Sequence, residues 1–163
     1  MRVAVNSSPL IFLAKLGLLD VLGKLFDEVY VTDAVYWETV VEGAGREEAI
    51  LIEKADFLRR ASVENQHLVK FLLELIDYGE AETIALAIER KLDLVVLDDK
   101  DARKVARGFG LRVTGTLGIL LLAKRRGLIS EVAPYIETLK KHGFRISDEV
   151  VKKILESAGE NWH

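Results

Sequence analysis

Five side chains in this sequence place an oxygen ligand against apolar surroundings: Asn6, Glu38, Glu80, Asp98 and Asp99. Asn6 ends the run Arg2 to Asn6 and is followed by Ser7 and Ser8. On a helical wheel Glu38 shares a face with Ala34 and Val41. Glu80 opens a helix at the edge of the apolar stripe Ile84, Ala87 and Ile88, whereas Glu82 and Glu89 fall on its polar side. Asp98 and Asp99 leave the apolar run Leu94-Val95-Val96-Leu97 together. Carboxylates crowded on apolar walls repel one another and lose hydration, a costly arrangement unless a cation neutralises it. Oxygen donors suit Mg²⁺ or Mn²⁺. Such ions polarise a phosphodiester and lower the pKa of an attacking water.

Each residue also has a plain structural use. Asp99 can cap the helix that comes after it. Glu80 is favoured by a helix N-terminus, and Asn6 can satisfy turn backbone groups. Their joint placement at strand ends and inner helix faces is what points to a site.

The elements that must position them alternate. Strand patterns fall at Arg2 to Asn6, Val29 to Thr32, Leu94 to Leu97 and Arg112-Val113. Helical patterns fall at Leu10 to Leu16 after a Ser8-Pro9 start, and from a cap at Asp33 to about Glu42. Others occur at Arg46 to Leu58, Gln66 to Ile76, Glu80 to Arg90, Asp99 to Phe109, Thr116 to Arg126, Ser130 to Lys141 and Ser147 to Ser157. Alternation of this kind predicts an α/β fold with a mostly parallel sheet covered on both faces. Ligands of such sheets bind at the carboxyl ends of the strands. Those ends carry Asn6, Thr32-Asp33, Asp98-Asp99 and Thr114.

Other features carry less chemistry. Lys100, Arg103, Lys104 and Arg107 form a basic stripe whose ordinary role is a solvated face. Arg103, close to the aspartate pair, is its best candidate for a phosphate contact. Lys124-Arg125-Arg126 suits a helix C-terminus. His67, His142 and His163 show no zinc or triad spacing. Tyr36 and Trp37 read as core or interface residues rather than a base-stacking platform.

Composition bounds the rest. A chain of 163 residues, 50% hydrophobic and 30% charged, fits one domain with its own core, residues 1–158, leaving 159–163 as a frayed tail. With no cysteine, disulfides and cysteine-based metal or redox sites are excluded. Met1 runs straight into a strand pattern, and no apolar run is long enough to cross a bilayer, so a cytoplasmic location and no membrane partner are expected. A net charge of -3 argues against a broad DNA-coating surface. Abundant Glu, Lys and Arg suggest a heat-adapted source.

The segments VAVNSSPLIFLAKLG, DAVYWETV, GEAETIALA, VVLDDKDARKVA and GTLGILLLAKRRGLI occur in this order over nearly the whole chain. Together they resemble the DUF3368 group of PIN-like proteins, relatives of VapC-type toxin ribonucleases. The resemblance implies a three-layer α/β/α fold and an Mg²⁺- or Mn²⁺-dependent endoribonuclease acting on single-stranded RNA, plausible as the toxin of a toxin–antitoxin pair with an antitoxin protein as partner. Carried over, the acidic positions fall on Asn6, on Glu38, on Glu80 with Glu82 as the alternative, and on Asp98 and Asp99. Ser8 is a polar helper and Arg103 a nucleic-acid contact. The first position is usually Asp in the family and is Asn6 here, so an inactive or weakened binding module is the alternative. Homodimerisation through Tyr135, Ile136 and Leu139 is also expected.

Overall fold

A computed structural model describes residues 1–161. The elements run β1 (Arg2–Val5), α1 (Ser7–Lys15), α2 (Val21–Leu25), β2 (Glu28–Thr32) and α3 (Asp33–Tyr36), which continues as a π-helical turn over Trp37–Val41. Then come α4 (Glu47–Lys54), β3 (Leu58–Ala61), α5 (Gln66–Leu72), α6 (Tyr78–Glu89), β4 (Leu94–Val96), α7 (Lys100–Gly108), β5 (Val113–Thr114), α8 (Thr116–Arg125), α9 (Ala133–Lys141) and α10 (Asp148–Ser157).

The five strands form one sheet in the order β3-β2-β1-β4-β5, every pairing parallel. Alternation along each strand divides the core in two. Val3, Val5, Val29, Val31, Leu94 and Val96 face one layer with α1, α2, α8, α9 and α10. Ala4, Tyr30, Ala61, Val95 and Leu97 face the other with α5, α6 and α7. The result is the expected three-layer α/β/α arrangement, with the sheet all-parallel rather than mostly so.

Several local expectations are corrected. Residues 55–58 do not continue α4, because Leu58–Ala61 pairs with β2 as an edge strand. Its two arginines interrupt any apolar strand pattern, and Arg59 pairs with Glu28 and Arg60 with Asp33 along the edge. Charged edge strands of this kind resist pairing with other chains. Helix α1 starts at Ser7, before Ser8-Pro9. Thr32, not Asp33, caps α3, its hydroxyl accepting from the Val35 N–H at 3.2 Å. Ile136 and Leu139, expected to be exposed and to pair with a second copy, are instead buried in the chain's own core, and Tyr135 is half-buried against it.

The chain end also departs from a frayed tail at Glu160. Its carboxylate accepts from the N–H groups of Val132 and Ala133 at 2.8 and 3.0 Å and from Lys124 at 2.9 Å, satisfying the start of α9. The rest of the expected tail includes Trp162 and His163, which lie outside the described residues.

Candidate functional site

Strands β1 and β4 are neighbours at the centre of the sheet. The chain leaves β1 toward β2 on one side and leaves β4 toward β5 on the other. This reversal opens a crevice beyond the carboxyl ends of the two strands. Asn6 sits at that point, its N–H donating to the Val96 carbonyl at 3.0 Å. Asn6 occupies the cap position of α1, yet its side chain makes no capping bond. It is only 6% exposed, and its Oδ1 is buried with no donor.

Glu38 reaches the same point from the π-helical turn. A π turn holds more residues than an α turn and rotates the residues after it relative to an α-helical register. Val41, placed with Glu38 by the helical wheel, therefore ends up exposed while Thr39 is buried. Glu38 Oε1 is buried without a donor. The Ser7 hydroxyl eases its charge from nearby but also lacks a hydrogen-bond partner, standing outside bonding geometry. Burial pushes the Glu38 carboxyl above its ordinary pKa, and the charges of Asp77, Glu42 and Glu82 push it further.

Gly79 explains how the two orphaned oxygens come together. A Cβ at this position would overlap Glu38 Oε1 and stand 3.3 Å from Asn6 Oδ1. The absent side chain is therefore the room into which both oxygens point. Gly79 lies in the first turn of α6, next to Glu80. Asp77 and Glu80 close a reciprocal capping box: the Glu80 N–H donates to Asp77 Oδ1 at 3.0 Å, and the Asp77 N–H donates to Glu80 Oε1 at 3.2 Å. The box explains Glu80's place at the helix start, but not its proton affinity. Burial first, then the charges of Asp77 and Asp99, raise the Glu80 pKa to about 7.

The aspartate pair divides its labour. Asp98 Oδ2 accepts from the hydroxyls of Ser8 at 2.9 Å and Thr116 at 2.7 Å, and Oδ1 accepts from the Thr116 N–H at 2.7 Å. It thereby ties α1, β4 and α8 together. Asp99 caps α7, accepting from the Ala102 N–H at 2.9 Å. Glu82 does not lie on a polar face, as its periodicity suggested. It is 4% exposed, and its carboxylate accepts from the Ala34 N–H at 2.8 Å, binding the start of α3 to α6.

Asn6, Glu38, Asp77, Glu80, Asp98 and Asp99 line one cavity of about 510 Å³, with Ser7 and Ser8 on its wall. All five expected residues are thus brought together, and Asp77 joins them. Its signal was in the sequence: Asp77, three residues before Glu80, has capping-box spacing. Arg103 does not line this cavity. It faces an adjoining groove that shares Asp98 as a wall, with Lys100 and Arg145. Trp37, expected to be core or interface, is 56% exposed and so is not core.

The family model DUF3368, described as a PIN domain, matches residues 2–160. The chain belongs to this family. No curated protein matches it. A PIN domain is a nuclease-type fold, and PIN domains generally depend on divalent metal ions. The donors of this PIN domain fit such an ion in kind: every one is an oxygen, and two are buried without a donor. Among the described residues, no three acidic side chains stand close enough together to hold an ion by themselves.

Proposed function

We propose that this PIN domain is a divalent-metal-dependent endoribonuclease that hydrolyses phosphodiester bonds of single-stranded RNA. One observation carries the reading: two buried oxygens, Asn6 Oδ1 and Glu38 Oε1, converge without donors on the space beside Gly79. An unpaired buried acceptor costs about 1–3 kcal/mol; a cation between the two would relieve both at once, where a proton on Glu38 or a half-turn of the Asn6 amide would do so without a ligand.

Asn6, Glu38 and Glu80 would hold Mg²⁺ or Mn²⁺, with Asp98 and Asp99 on the facing wall. The bound ion would polarise the phosphodiester and acidify the attacking water. Glu80, buried among carboxylates that raise its proton affinity in the absence of an ion, would supply a carboxylate to that ion, whose charge would relieve the repulsion. Asp77 keeps Glu80 in place through the capping box. Asp98, held by three hydrogen bonds, fixes the spacing between the ends of β1 and β4. Ser8 shares in that bracing. Arg103, in the adjoining groove, offers a cation to a neighbouring phosphate of the strand.

The test is cleavage of a labelled single-stranded RNA with Mn²⁺ and with EDTA. Cleavage with Mn²⁺, lost in EDTA and in Glu80→Gln, is the expected result. Absence of metal-dependent cleavage sinks the reading. The proposal extends, through the family resemblance, to a toxin paired with an antitoxin protein. Induced expression should then arrest growth, and expression of Glu80→Gln should not.

A second reading has its own observation. The first position holds a neutral amide, and three of the four lone-pair sites of the Asp98 carboxylate are taken by protein donors. A PIN fold with weakened catalysis, serving as a binding module, would show both. It predicts no rise in melting temperature with millimolar Mn²⁺, whereas the nuclease reading predicts a rise.

A further inference from the structure

Beside the acidic cavity lies a larger groove of about 820 Å³, and the two share Glu38 and Asp77 as a common wall. Its floor is aromatic. Trp37 is 56% exposed and Tyr78 is 50% exposed. Water-exposed aromatic faces of this size are costly to leave uncovered. Trp37 and the neighbouring Tyr36 are also tethered. The Trp37 indole N–H donates to Glu42 at 2.9 Å. The Tyr36 ring lies under the Arg60 guanidinium at 4.3 Å, and Arg60 is fixed to Asp33 at 2.7 Å. A ring tethered in this way loses less entropy than a free one when a flat ligand stacks on it.

The charge of the groove narrows its occupant. Asp33, Glu38, Glu42 and Asp77 line it, and Arg60, which pairs with Asp33, is its one cation among the lining residues. A phosphate would be repelled there. A nucleobase would not: it is neutral, it has a π face for Trp37 and Tyr78, and its exocyclic amino group donates to carboxylates.

We infer that this groove is a nucleobase subsite. It takes one unpaired base bearing an exocyclic amino group, while the adjoining phosphodiester lies over the acidic cavity. The inference rests on the nuclease reading for the placing of that phosphodiester. A base within a duplex has both faces stacked and its amino edge paired, so the subsite selects single strands. Uracil, with no amino group, is the disfavoured base.

The test is fluorescence anisotropy with labelled RNA hexamers, oligo(C) and oligo(U), with Ca²⁺ in place of Mn²⁺ so that the acidic cavity is neutralised, the RNA being checked as intact on a gel afterwards. The proteins are the parent, Trp37→Ala, Trp37→Phe and Tyr78→Ala. Trp37 and Tyr78 are largely exposed, so the variants should melt with the parent. Trp37→Ala should bind oligo(C) about 10-fold more weakly and Trp37→Phe within about 2-fold of the parent, as loss and retention of one stacked ring require. The slope of log affinity against log salt should not change, because no phosphate contact is removed. The parent should bind oligo(U) more weakly than oligo(C).

Affinity indifferent to Trp37, a reduced salt slope in Trp37→Ala, oligo(U) bound as tightly as oligo(C), or no RNA binding by the parent would each overturn the subsite. A groove built for a protein partner gives the first of these. Cleavage of RNA with Mn²⁺, measured in parallel, separates the two proposals. Trp37-dependent binding without any cleavage leaves the subsite standing and removes the nuclease. Cleavage with Trp37-independent binding does the reverse.

Discussion

Replacing Asn6 by Asp adds a carboxylate at a point already facing Glu38 across the space beside Gly79. A Cβ there would overlap one oxygen and stand 3.3 Å from the other. The two oxygens therefore lie within about 5 Å of each other, where two unit charges at an effective dielectric near 20 repel by about 3 kcal/mol. Glu38 is only partly buried, so solvent screening brings this to about 1–2 kcal/mol. The sign depends on what fills the space. Without metal at pH 8, Asn6→Asp should melt roughly 2–8 °C below the parent, given about 2–4 °C per kcal/mol for a chain of this size. At pH 4, where Glu38 is protonated in consequence of its raised pKa, the gap should close. With saturating Mn²⁺ the order should invert, and calorimetry should show Mn²⁺ bound about 10-fold or more tightly by the variant, since each added ligand charge strengthens a hard-cation site. Equal or weaker Mn²⁺ binding by Asn6→Asp would refute the reasoning, because it would remove Asn6 from the site.

The same geometry sets three further outcomes. Glu80 has a folded pKa of about 7 against 4.5 for the free side chain, so the native state holds the extra proton and stability falls as pH rises between those values. Glu80→Gln keeps the capping box and should remove that fall, so that in EDTA it melts above the parent at pH 8, by about 1–3 kcal/mol, and with it at pH 4. The same variant should lose the stabilisation by Mn²⁺. Asp98→Ala strands three donors, from Ser8 and twice from Thr116, and should cost about 2–4 kcal/mol in chemical denaturation; a loss under 1 kcal/mol would contradict its bracing role. Glu82→Ala should destabilise by about 1–3 kcal/mol through the freed Ala34 N–H and weaken Mn²⁺ binding less than Glu80→Gln does, since its charge reaches Glu38 only at a distance, which calorimetry can check.

The α/β class, and which polar residues gather at the ends of the strands, were legible in the sequence because both are written in local terms. Buried parallel strands need short apolar runs, and Leu94 to Leu97 is one whatever surrounds it. Polar residues at strand ends fall where such sheets bind ligands, which brought Asn6, Asp98 and Asp99 into view. What the sequence hid was settled by contacts between distant segments. β3 carries two arginines and shows no strand pattern of its own; Glu28 and Asp33, from another part of the chain, supply their partners. Glu82 has the periodicity of a solvated residue and is buried because the start of α3 needs an acceptor there. Ile136 and Leu139 read as a free surface until the chain's own core covers them. Trp37 and Glu38 depend on a π turn, whose extra residue no wheel of 3.6 residues represents, and that turn sends one side chain into the acidic cavity and the other into the open groove. Periodicity reports the geometry of one element at a time. Which charge is buried, which ring is bare and which oxygen is left without a donor are decided only when two or more elements meet.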